Sequence, residues 1–167
     1  GLVLRSGGTS GSPKFSVFSR EEWDEFTRES AEKLARTGVR PGDRVGNLFY
    51  SGDLYGSFLF VHRQLEICPT PLLSLPIGGT TPIPETVRSL VDFGATVVAG
   101  LPTTIMAVVG HLEENPEIAR ALKVRLFLFA GESMYPDQRE RISAAVPRSE
   151  VRSIGYASND AGFLGYA

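Results

Sequence analysis

Residues Val124 to Ser133 read V-R-L-F-L-F-A-G-E-S, and this stretch decides the fold. An apolar run of this length is too short for a core helix and lacks the alternation of a half-exposed strand. It fits a strand covered on both faces, as in a parallel sheet. Ala130 and Gly131 then supply small residues where a strand turns into a loop, and Glu132 and Ser133 follow as polar groups. Taken alone, the segment is equally an ordinary strand-to-helix turn carrying a solvated glutamate.

Outward from it, apolar periodicity switches repeatedly between strand and helix. Strands are predicted over 14–19, Val45–Tyr50, Thr70–Leu75, Ala95–Ala99, Val124–Phe129 and Val151–Gly155. Helices are predicted from Ser19 to about Thr37, then over Leu54–Ile67, Glu85–Phe93, Thr103–Glu114 and Pro136–Ala145. Ser19 with Glu22 three residues later forms a capping-box pattern, and Gly38 ends that helix. Alternating elements of these lengths predict an α/β fold, a layered α/β/α arrangement around a mainly parallel sheet. Residues 1–167 form one domain, without repeats or an internal boundary.

Ligands of open α/β sheets bind beyond the carboxyl ends of the strands. The chemistry-bearing segments are predicted to gather there: Tyr50-Ser51-Gly52, Ser74–Thr81, Ala130–Ser133 and Tyr156–Asp160.

Another segment is richer in chemistry. Ser6-Gly7-Gly8-Thr9-Ser10-Gly11-Ser12-Pro13-Lys14 packs three glycines, three serines, a threonine and a lysine into nine residues after Leu2-Val3-Leu4. Glycine permits positive φ and close approach, and consecutive N–H groups curled into a nest favour phosphate. By composition alone it is a surface turn. It is not a Walker A loop, because Pro13 separates the glycines from Lys14, and no G-x-G-x-x-G opens a helix.

The order of residues resembles the phosphate-binding loop of the adenylate-forming superfamily of acyl-CoA synthetases, adenylation domains and luciferase-like enzymes. That loop reads [ST]-[SG]-G-[TS]-[TS]-G-x-P-K, and the chain meets every defined position. Ala130-Gly131-Glu132 resembles the family's adenine-side loop G-[AG]-E-P, with Ser133 in place of proline. Tyr156-Ala157-Ser158-Asn159-Asp160 resembles Y-G-x-[ST]-E, with Ala157, Asn159 and Asp160 as departures. The text around Gly38–Asp43, Leu72–Leu73, Gly78–Thr81 and Asp92–Val98 looks like the phenylacetate–CoA ligase branch. Members tied to phenazine pathways show similar endings.

The resemblance implies part of the large N-terminal domain of an adenylate-forming enzyme, a nucleotide-binding subdomain cut from a longer chain. The start on Gly1 and the end on Gly-Tyr-Ala agree with that expectation, and a C-terminal lid domain has no counterpart here. The cofactors implied are ATP/AMP, Mg2+ and coenzyme A. Ser6, Gly7, Gly8, Thr9, Ser10, Gly11 and Lys14 would hold phosphates; Ala130, Gly131, Glu132, Tyr156 and Ala157 would line adenine. Asn159 and Asp160 would face phosphate and magnesium, with Asp160 the metal carboxylate and Lys14 and Asp160 the catalytic residues. Tyr50, Tyr55 and Gly79 would line an acyl pocket suited to an aromatic acid. Two other readings stand beside this one: a nucleotide-binding, catalytically silent homologue with an accessory role in a biosynthetic pathway, and a plain α/β fragment.

The remaining composition narrows the class. A net charge of −2 with interspersed signs offers no nucleic-acid surface. The apolar stretches fall short of a membrane span, and no signal peptide is visible, so a cytoplasmic protein is expected. The resemblance implies a small carboxylic acid, an aromatic one, as the partner, with homodimerisation left open. Cys68 is the one cysteine and reads as structural. His62 and His111 lack ligand spacing, and Ser10, Ser12 and Ser158 lack a nucleophile elbow.

Overall fold

The computed structural model describes residues 1–5, 12–158 and 162–165, with 156–158 and 162–165 described as backbone. Five parallel strands form the central sheet: β3 (Arg44–Asn47), β4 (Leu73–Pro76), β5 (Val97–Gly100), β6 (Leu126–Phe129) and β7 (Glu150–Ser153). Their spatial order is β4-β3-β5-β6-β7, and every neighbouring pair runs parallel. Two antiparallel pairs lie outside it: β1 (Leu2–Arg5) with β2 (Phe15–Phe18), and β8 (Tyr156–Ser158) with β9 (Gly162–Gly165).

The strand read from Val124–Phe129 is β6, an interior strand of the sheet. All four of its residues are buried, and their alternation serves two cores. Leu126 and Leu128 join Val45, Val97, Ala99, Phe49 and Leu34 on one face. Phe127 and Phe129 join Val98, Ile105, Val108 and Ile142 on the other. The first face is covered by α1 (Arg20–Leu34) and α2 (Ser57–Ile67), the second by α3 (Ile83–Asp92), α4 (Pro102–Glu114) and α6 (Pro136–Ala145). This is the three-layer α/β/α arrangement.

The predicted capping box is present. Ser19 Oγ accepts from Glu22 N–H at 3.1 Å, and Glu22 Oε2 accepts from Ser19 N–H at 2.7 Å. Inside α1, the hydroxyls of Thr27 and Ser30 donate to Trp23 O and Phe26 O, so small polar residues are buried with their bonds made. Phe18, Trp23, Phe26 and Phe60 pack with ring centroids 4.7–6.2 Å apart, Phe26 stacked on Phe18 and Phe60 and Trp23 edge-on to the same two rings, and join β2, α1 and α2.

Several boundaries differ from expectation. The strand predicted to Tyr50 ends at Asn47: Leu48 N–H still donates to Ala99 O of β5, but Phe49 N–H turns to Asn47 Oδ1, and the carbonyls of Phe49 and Tyr50 accept from Gly79 N–H and Phe58 N–H. The helix predicted from Leu54 starts at Ser57: Asp53 and Leu54 hold φ of 48° and 59°, which no helix admits. The strand predicted over Thr70–Leu75 is Leu73–Pro76. A short helix, α5 (Pro116–Ala121), and the β8–β9 pair were not anticipated.

Candidate functional site

Because all five strands run the same way, their carboxyl ends share one edge. The segments leaving that edge are 48–56, Ile77–Pro82, Leu101, Ala130–Tyr135 and Ile154–Gly155. Of the segments expected to gather, Tyr50–Gly52, Ile77–Thr81 and Ala130–Ser133 leave this edge; Ser74–Pro76 belong to β4 itself, Tyr156–Ser158 form β8, and Asn159 and Asp160 lie outside the described residues.

The exit of β3 is organised by Asn47, which is fully buried. Its Nδ2 donates to Phe58 O at 3.2 Å, its Oδ1 accepts from Phe49 N–H at 3.1 Å, and its carbonyl accepts from Gly78 N–H at 2.8 Å. One side chain thus ties the end of β3 to the start of α2, and its own carbonyl ties β3 to the loop after β4. Sequence reasoning passed over Asn47, although an amide inside the apolar text V-G-N-L-F is a signal in itself.

Tyr50 and Gly79 are brought together. A Cβ on Gly79 would lie 2.6 Å from Leu48 O and 3.2 Å from the Tyr50 ring, so only glycine allows this approach. Tyr50 O accepts from Phe58 N–H at 3.0 Å and Ser57 Oγ at 3.2 Å. Tyr55 lies on the other side of a tight turn whose N–H donates to Gly52 O at 2.8 Å, and its side chain is exposed. Phe49, 2% exposed, is core.

The β1–β2 hairpin is fastened to that same turn. Arg5 N–H donates to Leu54 O at 2.9 Å, and the Arg5 guanidinium pairs with the Asp53 carboxylate. A Cβ on Gly56 would fall 2.6 Å from Leu4 Cδ1, so the hairpin sits tightly there. Arg5 and Phe15 are the last paired residues, and Ser6–Lys14 join them. Ser6, Gly7, Gly8, Thr9, Ser10 and Gly11 lie outside the described residues; Lys14 is exposed.

At the exit of β6, Phe129 O accepts from Ile154 N–H at 2.8 Å. Gly131 holds φ of 83°, and a Cβ there would lie 2.7 Å from Leu101 Cδ2. The Glu132 carboxylate reaches sideways: Oε2 accepts from Thr103 N–H at 3.0 Å and Oε1 from the Thr103 hydroxyl at 3.0 Å. Arg139 of α6 lies 5.2 Å from the Phe129 ring centroid and donates to Val151 O at 2.8 Å. Gly155 N–H donates to Ser153 Oγ at 3.0 Å, turning the chain toward β8. The backbone of Tyr156 and Ala157 starts β8; Asn159 and Asp160 lie outside the described residues.

The remaining candidates stand apart from this edge chemistry. His62 Nδ1 sits 3.4 Å from Ser74 Oγ, with its ring stacked on Phe58. Burial pushes the Cys68 thiol up, against hydrogen bonds with Thr70. Among the described residues no three His, Cys, Asp or Glu side chains are grouped to hold a metal ion, and no helix is long and apolar enough to cross a membrane.

No protein-family model and no curated protein matches the chain. Solved structures do. The chain is similar to a 2-hydroxyisobutyryl-CoA ligase in the postadenylation state in complex with 2-HIB-AMP, with a TM-score of 0.81, 20% identity, and coverage of 96% of this chain and 33% of that one. It is similar to a malonyl-CoA ligase ternary product complex with methylmalonyl-CoA and AMP bound (TM-score 0.69, 24% identity, 95% and 32% covered). A long-chain-fatty-acid-CoA ligase from Archaeoglobus fulgidus gives 0.71, 15% identity, 98% and 32%. The chain therefore has the fold of part of the large N-terminal domain of adenylate-forming CoA ligases, and spans about a third of the length of these structures.

Proposed function

We propose that the protein carrying this chain activates a carboxylic acid with ATP, forming an acyl-adenylate, and passes the acyl group to a thiol such as coenzyme A. The observation that carries the reading is the fastening of Arg5 to Asp53 and Leu54. It sets the base of the Ser6–Lys14 connection on the sheet edge that also bears the Ala130–Ser133 loop and the exit toward Tyr156. The fold shared with ligases whose structures hold AMP or an acyl-AMP supports the same reading.

In this reaction a carboxylate oxygen bonds to the α-phosphorus of ATP, and the bond to pyrophosphate breaks, its electron pair leaving with pyrophosphate. A thiol then attacks the acyl carbon, AMP departs, and the thiol proton is lost. Both partners of the first step are anions, so catalysis depends on charge neutralisation and alignment. Ser6–Gly11 and Lys14 would hold the β- and γ-phosphates. The backbone of Ala130–Glu132 would border adenine, Tyr156 would stack on it, and Ala157 would leave room for that approach. Magnesium binds through one or two carboxylates together with nucleotide phosphates, and Asp160 would be its carboxylate, beside Asn159 on phosphate. Tyr50, Tyr55 and Gly79 would shape a pocket for an aromatic acid, as in a phenylacetate–CoA ligase-like enzyme, including one from a phenazine pathway. Cytoplasmic ATP and coenzyme A suit this chemistry.

The test is ATP–pyrophosphate exchange by the intact protein across aromatic and aliphatic acids. Exchange dependent on one aromatic acid is expected. Exchange with aliphatic acids alone would keep the reaction and overturn the pocket. The Asn159 and Asp160 departures favour a second reading, a silent nucleotide-binding homologue with an accessory role. AMP binding without exchange on any acid would establish it.

A further inference from the structure

We infer that Glu132 is a positioning residue for the nucleotide-side loop, acting through Thr103 rather than by touching a ligand. The inference rests on the adenylate-forming reading above. Its ground is that both carboxylate oxygens of Glu132 are engaged by one residue of another element, the amide and the hydroxyl of Thr103, each at 3.0 Å.

The chain supplies a reason for this contact. Helix α4 starts with Pro102 directly after Leu101, which offers no side-chain acceptor, so the first-turn N–H groups have no local cap. Glu132, from the neighbouring strand exit, provides the missing acceptor, and a carboxylate at a helix N-terminus is electrostatically favoured. Gly131 is held from the same side. Its φ of 83° puts the position a Cβ would take 2.7 Å from Leu101 Cδ2.

Leu101 and Thr103 therefore grip consecutive residues of the loop, and the first turn of α4 sets the orientation of the peptide between Gly131 and Glu132. The peptide groups of Ala130 and Gly131, which the reading places against adenine, inherit that orientation. On the other side Tyr135 N–H donates to Gln138 Oε1 at 2.9 Å, so the loop is held at both ends. Glu132 and Thr103 are both exposed, and hydrogen bonds in contact with water add little to global stability. Their loss should appear in nucleotide affinity more than in unfolding.

The experiment measures AMP affinity and the chemical unfolding midpoint in the intact protein carrying this chain, for Glu132→Ala, Thr103→Val, the double variant and Thr103→Ser. Each of the first two should weaken AMP binding about three- to ten-fold, the double variant no further than the weaker single, and Thr103→Ser should bind like the unmodified protein. Unfolding midpoints should stay close together. Additive losses would show Glu132 acting apart from Thr103, and a loss in Glu132→Ala with Thr103→Val silent would show the hydroxyl contact to be idle; either would overturn the inference. Unchanged AMP affinity with lowered unfolding midpoints would make the contact a brace, and overturn it too. An unmodified protein that fails to bind AMP would overturn the adenylate-forming reading itself and this role with it, a result no variant can imitate.

Discussion

Asp43 and Arg125, 82 residues apart, form an ion pair beneath the amino ends of β3 and β6, with the Asp43 side chain 6% exposed. Asp43 also accepts from Thr96 Oγ1 at 2.8 Å and Arg40 N–H at 2.7 Å, while Arg125 donates to Gly38 O at 3.1 and 3.2 Å. Three strand starts and the turn after α1 meet on one carboxylate. This cluster lies at the edge opposite the candidate site and explains the turn text Arg40-Pro41-Gly42-Asp43 by stability rather than chemistry.

Removing one partner should therefore be costly. Arg125→Ala leaves a buried carboxylate without its cation, and the expected loss is about 2–4 kcal/mol, tempered because Arg125 keeps some contact with water. Urea unfolding should show a lower midpoint with an unchanged slope. The double variant Asp43→Asn/Arg125→Met should recover part of the loss, because no unpaired charge then remains buried.

Much of the fold was legible, for identifiable reasons. The β6 text L-F-L-F is apolar at every position because both of its faces are covered, and Ser19 with Glu22 acts within one helical turn. The site was legible only where its parts are local. Glu132 could be read as an acid after a strand, but Thr103, its partner, lies 29 residues away. The Arg5–Asp53 pairing spans 48 residues and leaves no local pattern. The α2 start was misplaced because Leu54 and Tyr55 look helical, whereas the hairpin contacts to Asp53 and Leu54 hold a left-handed turn there.

Glu22 carries a pH prediction. The Ser19 backbone N–H, then the Ser19 hydroxyl, hold its carboxyl below the usual glutamate range. A depressed carboxylate contributes stability that is present above its ordinary pKa and is lost as pH falls through the lowered value. Ser19→Ala removes the smaller of the two causes, so a carboxyl NMR titration should find the midpoint raised only partway. Loss of the cap should cost about 1 kcal/mol. A midpoint identical in both proteins would show that the hydroxyl contact is absent in solution.

Gly79→Ala tests the Tyr50 contact. The new methyl would collide with the carbonyl of Leu48, which cannot rotate away as a side chain could, so the Ile77–Pro82 loop must shift. The expected destabilisation is about 1–3 kcal/mol. In the proposed enzyme the same shift should change the relative rates among acids more than the affinity for ATP. Uniform slowing across all acids would remove Gly79 from the acyl pocket.

Lys14→Ala should slow pyrophosphate exchange in the intact protein with little effect on folding, since Lys14 is exposed. A charge-assisted phosphate contact is worth about 1.5–3 kcal/mol, which corresponds to roughly a ten- to hundred-fold loss. Unchanged exchange would leave the Ser6–Lys14 segment as a plain hairpin connection.

Asp160 gives the sharpest division between the active and silent readings. As a magnesium-side carboxylate it should tolerate lengthening by one methylene, so Asp160→Glu should keep metal-dependent adenylation. Asp160→Asn should lose most of it, because a neutral amide oxygen is a far poorer partner for a hard dication than a carboxylate. The competing role is a cap on the following segment, where asparagine serves almost as well as aspartate. The two roles part at asparagine: a magnesium titration of acyl-adenylate formation, run on variants with matched unfolding midpoints, separates them. Full activity in Asp160→Asn would remove the metal-ligand assignment. A protein that binds AMP but forms no adenylate, with Asp160→Glu restoring that activity, would locate the silence in the missing methylene.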